Sequence, residues 1–123
     1  MQTSIERIPG NERMSKAVIV NGAGIVYFKG VTPATNSGRT IEEQTTSVLE
    51  QVDKLLAEAG SSKTGLVSVN IWLNDIRDMA AMNKIYDQWV VPGHQPVRAC
   101  VQAALAQPHY LIEVQVVAVR SPN

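Results

Sequence analysis

Apolar and polar residues follow a period of two in several short segments of the chain, the spacing of β-strands. Residues 17–20 and 25–29 are rich in β-branched and aromatic side chains and flank Asn21-Gly22, a two-residue turn signal. They predict a β-hairpin. Residues 66–73 alternate strictly and predict a further strand. The face of this strand predicted to be buried consists of Val67, Val69, Ile71 and Leu73.

Two other segments have the 3.6-residue period of amphipathic helices. The first begins after Thr40, which forms a capping box with Glu43. The second follows Asn74 or Asp75, either of which can cap a helix, and Pro92-Gly93 ends it. Their apolar positions predict that each helix buries one side against a sheet.

The last quarter of the chain contains two strand-like runs, residues 97–106 and 110–119, separated by Gln107-Pro108-His109. Their alternation predicts which sides face the helices. The residues predicted to lie under the helices are Val97, Ala99, Val101, Ala103 and Leu105 of the first run and Ile112, Val114, Val116 and Ala118 of the second. Arg98 and Glu113 are therefore predicted to project from the opposite, helix-free side.

Two helices can cover only one side of the predicted sheet. The other side would carry a patch of exposed apolar residues, which usually marks an interface. The predicted patch comprises Leu66, Trp72, Leu111, Val117 and Val119. We therefore expect the chain to associate with itself through this side.

The composition is that of one globular domain, assigned to residues 1–123, with 45% hydrophobic and 18% charged residues. Eleven basic residues balance eleven acidic ones, so no net charge attracts nucleic acid, and no nucleic-acid partner is expected. Cys100 is the single cysteine, and the sequence has no metal-type spacing of Cys or His. No segment approaches the ~20 apolar residues of a membrane span. We expect a cytoplasmic protein without a membrane or metal partner.

One set of motifs resembles a known family. Residues 96–101 (PVRACV) are followed by Leu105 and by the run LIEVQVVAV at residues 111–119, and residues 81–86 (AMNKIY) fit as well. Each motif alone is weak, whereas together they are specific. Over a stretch from about Gly22 to Val119, the chain resembles the reactive-intermediate deaminase (RidA/YjgF) family.

The resemblance implies a chorismate mutase-like α+β fold, in which a mixed sheet carries two helices on one face. It also implies a homotrimer whose three subunits pack their sheets together. In this fold the last strand lies between the first core strand and the strand at residues 66–73. The residues alone predict instead that the last two strands pair as a hairpin.

The resemblance further implies an activity and a site. The family hydrolyses reactive enamine and imine intermediates, such as 2-aminoacrylate and related 2-imino acids, to 2-oxo acids and ammonia, without a cofactor. By position, Arg98 would bind the substrate carboxylate beside the backbone amide of Cys100, and Glu113 would be catalytic. Gly30, preceded by Lys29, would line the cleft. The sites are expected between subunits, with a small imino acid or another small carboxylate as the bound molecule.

These residue types suit the chemistry. A planar guanidinium can hold a carboxylate through two parallel hydrogen bonds, which would fix the imine carbon in place. Water must attack that carbon and a proton must reach the departing amine, and a positioned carboxyl group typically accelerates such steps ~100- to 10,000-fold. Arg98 is the expected anchor, and Glu113 is the expected acid–base group.

Other interpretations of the same residues stay open. Arg98 and Glu113 have an ordinary explanation as a surface arginine and as a carboxylate on an open sheet face. A protein of this fold could also bind small carboxylates as a non-catalytic regulator. RNA cleavage or translational inhibition, sometimes assigned to relatives of the family, is disfavoured by the neutral charge and by the absence of an aromatic and basic stripe.

Two departures from the family pattern touch the expected pocket. Lys29 stands where the family often has a serine, and Met14 or Ser15 where it often has a tyrosine. As a second cation, Lys29 could favour an acidic imino acid or another dianion, although a solvated lysine at a strand end is the simpler explanation. These departures concern the substrate rather than the fold.

Overall fold

A computed structural model describes residues 4–120 as a mixed sheet with two α-helices. The strands are β1 (Ile5–Ile8), β2 (Ala17–Val20), β3 (Ile25–Phe28), β4 (Leu66–Leu73), β5 (Val97–Gln102) and β6 (Ile112–Val119), and the helices are α1 (Ile41–Glu58) and α2 (Met79–Trp89). The order across the six-stranded sheet is β1-β2-β3-β6-β4-β5. Neighbouring strands are antiparallel, except for the parallel pair of β4 and β5.

The central position of β6 corrects the hairpin predicted for the last two strands. β6 pairs with β3 on one side and with β4 on the other, whereas β5 pairs with β4. Burial explains the difference, because alternate residues of β6 are at most 2% exposed and suit an interior strand. These residues are Ile112, Val114, Val116 and Ala118. The observed order is the one that the family resemblance implies.

Local signals in the sequence located the first hairpin and both helices. β2 and β3 pair as an antiparallel hairpin, and Thr40 and Glu43 form a complete capping box at the start of α1. Asp75, one of the two residues predicted to cap α2, instead caps the 3-10 turn Ile76–Asp78, where it accepts a hydrogen bond from the Arg77 N–H. α2 itself begins after Asp78, which forms no side-chain cap hydrogen bond. β1 was not predicted, because most of its side chains are exposed and carry no alternation.

The alternation in β4 shifts at a β-bulge between Leu66 and Ser68. Leu66 is 7% exposed and pairs with Ala118 on the helix side, while Val67 is 46% exposed. An extra residue in one strand shifts the alternation, so the residues beyond the bulge point to the opposite face from the one predicted. Leu66 therefore belongs to the core and not to the predicted patch, and Val67 leaves the predicted buried face.

The faces of β5 are the reverse of those predicted. The parallel register places Arg98 beside Val69, which is fully buried under the helices, and residues paired in this way share a face of the sheet. Cys100 follows on the same helix side. Val97 and Val101 lie on the other side and are 71% and 50% exposed. The apolar residues of this edge strand thus face away from the helices.

The helix-free side of the sheet, called the open face from here on, is rich in apolar side chains. They include Val18, Val20, Ile25, Tyr27, Trp72, Val97, Val101, Val117 and Val119. Exposed apolar patches of this kind usually mark interaction surfaces. The open face is therefore suited to the self-association expected from the sequence.

Two further features are absent from the described residues. None of the helices in residues 4–120 is both long and apolar enough to cross a lipid bilayer. The same residues contain no group of three or more His, Cys, Asp or Glu side chains placed to hold a metal ion.

A buried glutamine of α1 holds the segment that leads into β6. The Gln44 side chain donates to the carbonyl oxygens of His109 at 3.0 Å and Gly38 at 3.2 Å, and it accepts from the Leu111 N–H at 2.8 Å. Gln44 is 2% exposed, and Leu111 packs against the core rather than joining the exposed patch predicted for it. One side chain thus satisfies three backbone groups and fixes the entry to β6.

We expect Gln44→Ala to lower the free energy of unfolding by about 2–4 kcal/mol, because buried backbone groups that lose their partners each cost roughly 1–3 kcal/mol. Urea denaturation at a fixed protein concentration measures the change. Gln88→Ala, at an exposed position of α2, is the matched control and should change stability by less than ~0.5 kcal/mol. Equal stability of the two variants would contradict this role of Gln44.

Candidate functional site

Arg98 is held against α2 although it lies on an edge strand. Its Nη1 donates to Asn83 Oδ1 at 2.8 Å, and its guanidinium carbon lies 4.8 Å from the centroid of the Tyr86 ring. Asn83 and Tyr86 are neighbours on one side of α2, at the (i, i+3) spacing. One hydrogen bond and one stacking contact therefore orient the guanidinium, which keeps further N–H donors for a ligand.

The backbone amide of Cys100 lies at the free edge of the sheet. Alternate residues of a strand direct their backbone groups to opposite sides. Ala103, which has the opposite parity to Cys100, donates its N–H to the Leu73 carbonyl of β4 at 2.9 Å. The Cys100 N–H therefore points away from β4, where a ligand beside Arg98 could accept from it.

The thiol of Cys100 is poorly suited to act as a nucleophile. Burial raises its pKa, and the positive charge of Arg98 only partly opposes that rise. The side chain lies on the helix side and packs against the core. A thiol that stays protonated at neutral pH leaves the amide as the group of Cys100 that can take part in a site.

Glu113 lies on the open face near the middle of the sheet. It pairs with Trp72 across β6 and β4, and its half-buried carboxylate rests against Gly30. A Cβ atom on residue 30 would overlap Glu113 Oε2. Val31 then pairs with Val114 and keeps this segment beside β6. Glycine at position 30 thus leaves the room that the carboxylate occupies.

Glu113 borders two hollows. The first, of about 420 Å³, is lined by Met14, Ser15, Val18, Tyr27, Phe28, Lys29, Gly30, Glu113 and Gln115. The second, of about 240 Å³, is lined by Trp72, Ala103, Ala104, Leu105 and Glu113. The Glu113 carboxylate is therefore accessible from two hollows, one that also contains Lys29 and Gln115 and one formed by Trp72 and the segment from Ala103 to Leu105.

Lys29 borders the first of these hollows but also lines another one. That other hollow contains Lys16 and Lys54, together with Glu58, which lies 3.7 Å from the Lys16 ammonium. Within residues 4–120, Lys29 forms no salt bridge. Lys29 is thus close to Glu113 without being paired to it.

The predicted site residues fall into two groups within one chain. The glutamate half-site comprises Lys29, Gly30 and Glu113 on the open face, and the arginine half-site comprises Asn83, Tyr86, Arg98 and the Cys100 amide at the free edge of β5. The prediction that Arg98 and Glu113 project from one face is wrong. Their strands are separated by β4, and their side chains leave opposite faces of the sheet.

Asn83 and Tyr86 were not predicted as site residues. Both belong to the AMNKIY run at residues 81–86, which carries part of the family resemblance and was the available signal. The helical period identified Tyr86 only as an apolar core position, and Tyr86 is indeed 6% exposed. Their contacts with Arg98 depend on where β5 lies in the sheet, and the spacing of apolar residues in α2 gives no information about that.

We expect Arg98→Ala to raise the pKa of Tyr86, because burial already raises this pKa and the charge of Arg98 opposes the rise. Alkaline titration followed by NMR of labelled tyrosines distinguishes the individual phenols. Arg77→Ala is the control, since Arg77 pairs with Asp75 at the surface. If the Tyr86 pKa is the same in Arg98→Ala as in the wild type, the guanidinium does not lie over the ring.

Comparison with known proteins identifies the family. The model of the family described as Endoribonuclease L-PSP matches residues 5–120. The chain is 43% identical over 115 residues to the RutC family protein YoaB of Escherichia coli K12, an alignment that covers 94% of this chain and 97% of that protein.

Solved structures agree with the sequence match. NMB1025 of Neisseria meningitidis, a YjgF family member, is 39% identical, with a TM-score of 0.92 over 98% of each chain. Yeast Mmf1 is 28% identical, with a TM-score of 0.86 over 96% of this chain and 100% of its own. The fold and these matches define an α+β protein of the YjgF type. The chain belongs to the RidA/YjgF family.

Proposed function

We propose that the protein is a deaminase that hydrolyses reactive enamine and imine intermediates, 2-aminoacrylate and related 2-imino acids, to 2-oxo acids and ammonia without a cofactor. The observation that carries the proposal is the preoriented guanidinium of Arg98, held by Asn83 and Tyr86 in a member of this family. An arginine that is fixed by two contacts and still has free donors is suited to bind a small carboxylate.

Substrate binding uses the arginine half-site. Two parallel N–H groups of Arg98 donate to the substrate carboxylate, and the outward N–H of Cys100 provides a third donor. Less side-chain entropy is lost on binding, because Asn83 and Tyr86 already restrict the guanidinium. The substrate carboxylate is thereby fixed in position, which also fixes the position of the planar imine carbon bonded to it.

The hydrolytic step uses the carboxylate of Glu113. Glu113 accepts a proton from a water molecule, whose oxygen attacks the imine carbon and forms a tetrahedral amino alcohol. Glu113 returns this proton to the nitrogen, which completes the amino alcohol. It then takes the proton of the new hydroxyl group and passes it to the amino nitrogen, so that the carbonyl group forms as the C–N bond breaks and ammonia leaves. One imino acid and one water yield one 2-oxo acid and one ammonia, and Glu113 returns to its starting state.

The two half-sites have to come from different subunits for this reaction. Arg98 and Glu113 leave opposite faces of one sheet, so the arginine half-site of one subunit would face the glutamate half-site of the next. Two different surfaces in contact form a heterologous interface, which closes into a ring such as the expected trimer. The apolar open face, with Val97 71% exposed beside Arg98, supports such packing.

RNA cleavage is a second candidate, because the description of the matching family model is that of an endoribonuclease. The equal numbers of basic and acidic residues do not favour an RNA surface. In the arginine half-site the aromatic side chain is not free to stack on a base, since Tyr86 is 6% exposed and covered by Arg98. We therefore rank imine hydrolysis first.

The direct test generates imino acids in place with an amino-acid oxidase or a serine dehydratase and follows their loss. We expect Arg98→Ala to lower kcat/KM roughly 10- to 150-fold through the loss of charged hydrogen bonds. Glu113→Gln should lower it roughly 100-fold or more. Arg39→Ala and Glu50→Gln, exposed positions outside both half-sites, are the matched controls.

Other results of this test would redirect the proposal. A wild-type protein that is inactive on every imine but binds small carboxylates would be a binding or regulatory protein of this family. Salt-dependent binding and cleavage of RNA would favour the second candidate.

Mixing two inactive variants tests whether the site is shared between subunits. When Arg98→Ala and Glu113→Gln chains are unfolded together and refolded as an equimolar mixture, we expect about one quarter of wild-type activity, since random assembly pairs an intact arginine half-site with an intact glutamate half-site at that frequency. Each variant refolded alone is the control. No recovery in a mixture shown by mass spectrometry to contain mixed oligomers would place both residues of each site in one subunit.

A further inference from the structure

Three lysine side chains surround a small hollow beside α1. Lys16 precedes β2, Lys29 follows β3, and Lys54 lies near the end of α1. The other lining residues are Gln51, Leu55 and Glu58, and we call the site the lysine hollow. Its volume is about 270 Å³, just below the ~300–1,000 Å³ of typical ligand pockets, so it suits a small molecule or ion.

The first hairpin places two of these lysines directly opposite each other. Ala17 pairs with Phe28 in β2 and β3, and the Lys29 N–H donates to the Lys16 carbonyl at 2.9 Å, which continues the ladder by one more pair. Like charges at such cross-strand positions repel each other and lower stability. An anion bound between the two ammonium groups would replace this repulsion with attraction.

The charges around the lysine hollow are not balanced. Its single carboxylate, Glu58, lies 3.7 Å from the Lys16 ammonium. Within residues 4–120, neither Lys29 nor Lys54 forms a salt bridge, although Glu50 and Glu58 lie one helical turn from Lys54 on α1. Three ammonium groups and one carboxylate leave an excess of two positive charges.

The walls that carry these lysines are fixed in place. The Gln51 side chain donates to the Thr32 carbonyl at 2.9 Å, which ties α1 to the segment that follows β3. Leu55 packs against the hydrophobic core and forms an apolar part of the wall. Because the backbone around the hollow is already ordered, a bound ion would have to immobilise only the lysine side chains.

We propose that the lysine hollow binds a phosphate dianion, either as free phosphate or as the phosphate group of a small monoester. A phosphate group carries about −1.5 to −2 charges at pH 7, which matches the excess of two positive charges. Its tetrahedral oxygens can each accept from a different ammonium group, whereas lysine lacks the planar fork that matches a single carboxylate. The inference does not depend on the proposed function, because neither Arg98 nor Glu113 lines the lysine hollow.

The test is an NMR titration of the full-length, isotope-labelled protein with inorganic phosphate at about pH 8, above the second pKa of phosphate groups (~6). Sodium chloride keeps the ionic strength constant, so that general screening does not change. We expect saturable shifts of the amides of Lys16, Lys29 and Lys54, with a Kd of about 1 mM or below. Lys54→Gln should weaken binding roughly 5- to 10-fold through the loss of one charged contact. Lys84→Gln, the same change at an exposed position of α2, should leave binding unchanged.

Glycerol phosphate and succinate distinguish the possible ligands in the same titration. Equal affinity for glycerol phosphate and inorganic phosphate would show that the phosphate group is recognised in either form. Tighter binding of glycerol phosphate would identify a monoester as the ligand, and weaker binding would identify free phosphate. Succinate has two negative charges without a phosphate group and should bind more weakly than phosphate.

Three results would overturn the inference. They are the absence of saturable shifts, equal affinity for succinate and phosphate, and phosphate binding that is lost in Arg98→Ala but kept in Lys54→Gln. The last result would place the anion in the arginine half-site. Since no imine is turned over in this titration, its outcome is independent of the hydrolysis assay.

Discussion

The antiparallel pairing of β6 with both β3 and β4 is the interaction on which the rest of the structure depends. It places alternate apolar residues of β6 under the helices, where they are almost fully buried, and so directs Glu113 to the open face. The same pairing brings Gly30 to one side of Glu113 and Trp72 to the other. Gln44 protects the register by holding the backbone that enters the strand.

The position of β5 at the edge of the sheet allows Arg98 to lie on the helix side, opposite to Glu113. An interior strand has both sets of backbone groups paired, whereas β5 leaves one set free and its apolar residues uncovered on the open face. Arg98 can lie on the helix side because the rim of the sheet is open to solvent there, and Asn83 and Tyr86 then orient it. An edge strand thus combines an oriented cation, a free amide and an apolar surface.

The sequence alone located those parts of the fold that have local causes. The Thr40 and Glu43 capping box and the Asn21-Gly22 turn act over a few residues, and both elements were predicted. The order of the strands was predicted from the family resemblance, because the alternation of apolar and polar residues does not show which strands pair with each other. The predicted faces of β5 were the reverse of the observed ones because both sides of this sheet are rich in apolar side chains, so the rule that apolar residues face the helices fails. The bulge between Leu66 and Ser68 could not be predicted, because the sequence alternates regularly through residues 66–73.

The separation of the half-sites connects the proposed chemistry to assembly. An isolated chain has Arg98 and Glu113 on opposite faces. Under the proposed mechanism it could hold a carboxylate or activate water but could not do both to one molecule. Residues that contact no substrate, such as Val97 on the open face, would then affect turnover by setting the distance between the half-sites. Catalysis and packing would then share one interface between subunits, and the apolar open face would contribute to both.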